Sequence, residues 1–217
     1  MRFALLLCLL TSALAWAQPS AMSSQAQPAA QPQSSSSSTA PAEEVPTVVK
    51  LASQKVTIPP AQIPLTTLDG KEVHLGDYDA KVVVVSLWST ISGDTSFLEL
   101  LQALHHSYYR GKKDVVILAV NVDMPKNADD VQVLRDITKE LDPEYPVLVD
   151  KELKLMAYVN ERLRPAGMER NTFLVPKFLI FTQKFQKMEQ PSPPSGDTVE
   201  EEVHALHKQV EQVRLRK

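Results

Sequence analysis

Cysteine is almost missing from this sequence. Cys8 is the only one, and it lies in an apolar N-terminal run. A lone thiol forms no internal disulfide and supplies no pair for thiol–disulfide exchange. Glycine is scarce as well, six against sixteen prolines, so the loops are stiffened by proline. No Gly-rich phosphate loop, HExxH or GxSxG motif occurs. Lys and Arg form no basic stripe, and the net charge is −3. Nucleic acid is therefore not an expected partner.

What is present begins with a targeting segment. Arg2 precedes a mainly apolar run from Phe3 to Leu14, and Ala15-Trp16-Ala17 is an A-x-A cleavage site. The run falls short of the roughly 20 residues of a membrane span, so residues 1–17 read as a secretory signal peptide. A retained anchor is the alternative. Cleavage leaves no membrane span and no cysteine, and loss of Arg2 takes the charge from −3 to −4. Cys8 sits near the start of the run, which argues against lipid attachment. Residues 18–46 are almost only Gln, Ser, Pro, Ala and Thr. They lack the apolar surface to fold and read as a disordered linker.

From residue 47 to 217 the pattern is that of one folded domain. Val48 to Leu51 and Val56 to Ile58 are short strand-like runs. Asp69-Gly70 between β-formers predicts a hairpin turn. Val82 to Trp88 is apolar apart from Ser86, as in a strand covered on both faces. A helix is expected from about Gly93 to Tyr109, with Phe97, Leu101, Leu104 and Tyr108 on one face and Gly111 ending it. Strands are expected at 114–121 and 145–149, and helices at 128–141 and 151–159. An Arg-rich connection spans 160–172. A strand follows from Phe173 to Phe181 through Pro176, with an edge at 185–188 and a second linker at 191–195. The last helix, 197–216, carries a Thr198/Glu201 capping box. Its apolar stripe is Val199, Val203, Leu206, Val210 and Val213. This alternation implies an α/β domain with a mixed sheet and helices on both faces.

Three pieces resemble the thioredoxin-fold redoxins of the bacterial cell envelope, the TlpA/ResA-like thiol–disulfide oxidoreductases, with peroxiredoxins as more distant relatives. They are Ile63-Pro64-Leu65 to Tyr78, Val82 to Thr95, and Val175-Pro176-Lys177-Phe178-Leu179-Ile180. The resemblance implies a thioredoxin-like fold. It sets Trp88 at the motif tryptophan and Ile91 where a second aromatic is usual. Ser92 and Thr95 stand at the two redox cysteines, Gly93-Asp94 at the variable pair between them, and Pro176 at the proline opposite.

A serine cannot take over the thiol reaction, since its hydroxyl does not ionise usefully near neutral pH and forms no exchangeable disulfide. A serine nucleophile needs a base within hydrogen-bond reach. His105 and His106 lie 13 and 14 residues beyond Ser92, roughly 20 Å along a helix. The simple reading is that Ser92, Gly93, Asp94 and Thr95 cap a helix and that Trp88 is core. No catalytic residue and no cofactor is expected. Glu200, His204, His207 and Glu211 share one helical stripe, which makes His204 and His207 weak metal candidates beside a solvated-flank reading. The expectation is an exported, periplasmic or secreted binding or scaffolding module. Its envelope protein partner would lie at the Ser92/Pro176 face, formed by Trp88, Ser92, Gly93, Asp94, Thr95, Val175 and Pro176. The alternative is a repurposed enzyme or metal carrier using Ser92 and Asp94 or the His204/His207 helix.

Overall fold

A computed structural model describes residues 47–50, 57–92, 95–164, 166–167, 172–175, 177–192 and 196–216. The expected signal peptide and linker, together with Val56, Gly93, Asp94 and Pro176, lie outside the described residues.

Nine strands occur among the described residues: β1 (Thr47–Lys50), β2 (Pro64–Thr67), β3 (Glu72–His74), β4 (Val82–Trp88), β5 (Val115–Asn121), β6 (Val147–Val149), β7 (Thr172–Val175), β8 (Lys177–Thr182) and β9 (Met188–Glu189). The α-helices are α1 (Ser96–Leu104), α2 (Ala128–Leu141), α3 (Lys154–Leu163) and α4 (Val199–Leu215). Seven strands form one mixed sheet in the order β3-β2-β6-β5-β4-β8-β9, and β1 pairs with β7 apart from it. β4, β5 and β6 are parallel, and the remaining pairs are antiparallel.

β4 lies inside the sheet between β5 and β8, and all seven of its residues are buried. Val83, Val85 and Leu87 face a core built with Leu155, Met156 and Val159 of α3. Val82, Val84 and Trp88 face a second core with α1, α4 and Leu134 of α2. Strand alternation and double coverage together explain why this stretch is a valine run. Burying each such side chain is worth roughly 1.5–3 kcal/mol.

Several boundaries differ from expectation. Thr57 and Ile58 are not strand, and the chain instead enters a single 3-10 turn at Pro60–Gln62. The Phe173–Phe181 stretch is two strands in different sheets, since proline offers no N–H to a ladder and fixes φ. α3 begins three residues late, because Asp150 and the left-handed Leu153 (φ 53°) must first turn the chain. The edge expected at 185–188 is a 3-10 turn, Gln183–Phe185, followed by β9. The second linker is partly tied down. Pro191 is buried, and Gln209 of α4 both accepts from Ser192 N (2.7 Å) and donates to its carbonyl (3.2 Å). At the start of α4, Thr198 accepts from Glu201 N, while the Glu201 carboxylate accepts from Asp197 N (2.8 Å) rather than from Thr198.

Candidate functional site

The carboxyl end of β4 runs into a polar knot. The Asp123 carboxylate accepts from the Thr90 amide (2.7 Å), the Thr90 hydroxyl (2.7 Å) and the Asn121 amide (2.8 Å). It also accepts from the Ser89 hydroxyl. Asn121 in turn accepts from Asp123 N (3.1 Å). The parallel register sets Trp88 against Asn121, so the knot joins the ends of β4 and β5. Ser89 and Asn121 are buried. With its oxygens taken by four donors, Asp123 has the environment of an anchor rather than of a base, and it pulls Thr90–Ser92 into a 3-10 turn.

That turn changes the expected helix start. α1 begins at Ser96 instead of Gly93, and Thr95 is its N-cap without a side-chain capping bond. The first amides are met by Thr95 O, which accepts from Leu98 N (2.8 Å). Of the expected capping residues, Thr95 holds the N-cap place, while Gly93 and Asp94 lie outside the described residues. Trp88 is fully buried, with its ring 5.8 Å from Phe97, so it is core as expected. Ile91 is the exception on this surface: it is apolar and 74% exposed.

Val175 is buried at the end of β7, and the residue after Pro176, Lys177, lies opposite Leu87 of β4. The register thus brings the Val175–Lys177 crossing to the same sheet end as the Ser89–Ser92 turn. The Lys177 ammonium sits 4.7 Å over the Phe173 ring, and burial lowers its pKa.

His204 and His207 are not a bare solvated flank. His207 stacks on Tyr108 (3.8 Å, 9°), and its Nδ1 is 2.9 Å from the Tyr109 hydroxyl. His204 Nδ1 is 3.2 Å from the Tyr108 hydroxyl. Tyr109 also donates to Glu211 (3.2 Å), which pairs with Arg214, itself paired with Asp114. Burial holds His207 below the ordinary imidazole range and Tyr109 above the ordinary phenol range. The tyrosine hydroxyls engage one nitrogen of each ring. No cluster of three or more His, Cys, Asp or Glu arranged for a metal occurs among the described residues.

The sequence reading missed Asp123, Asn121 and Ser89 altogether. Their signal was present: two polar pairs, Ser89-Thr90 and Asn121/Asp123, each follow a buried run that reads as a parallel strand. It becomes legible only when the two runs are laid side by side.

The parallel β4–β5–β6 core, the antiparallel β8 after Pro176, and a helix opening just beyond β4 define a thioredoxin-like domain. Residues 43–187 match the Redoxin family, and the chain belongs to it. Among solved structures the fold is similar to that of a Sinorhizobium meliloti hypothetical protein, at 15% identity and a TM-score of 0.50, covering 76% of this chain and 87% of that one. It is similar to the pneumococcal exposed lipoprotein thioredoxin of Streptococcus pneumoniae (23% identity, TM-score 0.47, 69% and 97% covered). A secreted Mycobacterium tuberculosis disulfide oxidoreductase also has a similar fold (12% identity, TM-score 0.47, 68% and 96% covered). No curated protein matches the sequence. The chain is thus a redoxin domain with a thioredoxin-like fold and a single cysteine, Cys8. No helix among the described residues is long and apolar enough to cross a membrane.

Proposed function

We propose that this redoxin domain is exported and acts without catalysis, as a binding or scaffolding module for another envelope protein. The observation that carries this reading is that Ser92 and Thr95, which the resemblance sets at the two redox cysteines, can neither form nor exchange a disulfide. The binding face is the sheet end where the Ser89–Ser92 turn and the Val175–Lys177 crossing meet. Ile91 supports it, because a large apolar side chain exposed at the tip of an anchored turn is suited to burial against a partner.

Two experiments test the two halves. The chain from Gln18 onward should show no insulin reduction and no thiol-peroxidase turnover above background, and turnover above background overturns the non-catalytic half. In capture from an envelope extract, the same chain should retain a protein that Ile91→Asp retains at least about tenfold less well, a loss of about 1.4 kcal/mol. Equal retention by both overturns the assignment of the face.

A further inference from the structure

β7 lies outside the seven-stranded sheet, and β1 is the strand paired with it. The pairing is antiparallel, from Thr47 opposite Val175 to Lys50 opposite Thr172. The first residue of β1 therefore lies across from the residue that precedes Pro176, at the proposed binding face. β7 is anchored on its own account, since Phe173 and Val175 are buried in the α3-side core and Lys177 covers the Phe173 ring. β1 is only four residues long and belongs to no ladder of the central sheet. Its release breaks no bond between the seven central strands.

A strand edge of this kind takes extended polypeptide through backbone hydrogen bonds, and side-chain alternation adds selectivity. Building on the binding role proposed above, we infer that β1 is a resident strand on the β7 edge, and that an extended partner segment binds beside Val175 by displacing Thr47–Lys50. The fitting partner is a segment of four or more residues running antiparallel to β7, with an apolar residue opposite Phe173, the register position that Val49 holds here. A strand on the same chain competes at high effective concentration. It thereby lowers the partner's apparent affinity by the fraction of molecules whose edge is open. So short a ladder opens without unfolding the domain.

The test uses the chain's own strand as probe. A fluorescein-labelled peptide of Pro46–Leu51 is titrated into the chain from Gln18 and into its Val49→Pro variant, in which proline disfavours the β1 ladder. The variant should bind the peptide at least about tenfold more tightly than the unmodified chain, and the same peptide carrying Val49→Pro should bind neither. Equal affinity for both proteins overturns the inference. So does absence of binding to a variant whose β4 and β5 amides remain protected. Amide exchange in the unmodified chain gives a second measurement that needs no variant. Thr172–Val175 should exchange at least about tenfold faster than Val83–Leu87, and equal protection overturns the inference. Both readouts are independent of envelope capture, so this inference and the binding role fail separately.

Discussion

Asp123 and Asp150 follow neighbouring parallel strands, and their surroundings treat them in opposite ways. Asp123 collects four donors at a half-buried position. Asp150 is completely buried, and burial pushes its carboxyl from the ordinary 3.8 up to about 7, against the backbone amides of Met156 and Lys154 that favour the charged form. Asp123→Ala should cost about 1–3 kcal/mol, because it removes the carboxylate to which buried Ser89 and Asn121 donate. Asp123→Asn should cost less, and urea denaturation of both variants measures the difference. For Asp150 the raised folded pKa means that the native state holds a proton the unfolded chain has released. Stability tied to this group is therefore present below about pH 4 and is lost as pH rises toward about 7. Between about pH 5 and about pH 8 the loss is about 3 kcal/mol. His105 and His207, held low by burial, act in the other direction. The readout is thus the difference in slope between the unmodified chain and Asp150→Asn across that window. Identical slopes would exclude the buried carboxyl as a titrating group.

At the scale of elements, the helical period led to part of the packing and then stopped. Phe97, Leu101 and Leu104 are buried as their spacing implies. Beyond Leu104 the backbone widens into a π-helical turn, His105–Tyr109, closed by Arg110 N donating to His105 O at 2.7 Å. The extra residue in that turn swings Tyr109 inward, beyond what a 3.6-residue period indicates. Both tyrosines then meet His204 and His207 of α4, which a sequence pattern with no knowledge of the turn reads as a solvated flank. Tyr109→Phe should destabilise the domain by about 1–2 kcal/mol, since His207 and Glu211 both lose a partner. Tyr108→Phe should cost less, because its partner His204 is exposed. Thermal denaturation checks the order. The α4 stripe was legible except at its start. Val203, Leu206, Val210 and Val213 are buried, while Val199 is 53% exposed because the first turn projects past the sheet-facing core. Leu206→Ala should cost about 2–5 kcal/mol and Val199→Ala no more than about 0.5.

For the whole molecule, the valine run of β4 and the alternation of elements implied an α/β domain with a mixed sheet, and the resemblance of three pieces to the redoxins implied its thioredoxin-like arrangement. The site was less legible, since the Asp123 knot depends on register between strands more than thirty residues apart. This leaves a question of geometry: whether the fold still presents positions 92 and 95 as a redox pair would require. Ser92 closes the anchored turn and Thr95 sits at the N-cap of α1, where a helix N-terminus lowers a thiol pKa. If only the reactive atoms are missing, Ser92→Cys with Thr95→Cys should give a chain that reduces insulin above background. In that reaction the first thiolate attacks the insulin disulfide to form a mixed disulfide. The second thiolate then attacks that bond, leaving the protein oxidised and insulin reduced, with added dithiothreitol restoring the pair. Ser92→Cys alone should stop at the mixed disulfide, visible by mass spectrometry as a covalent adduct. A double variant that folds, contains two free thiols and yet stays inert would show that the turn held by Asp123 has moved the pair out of redox geometry.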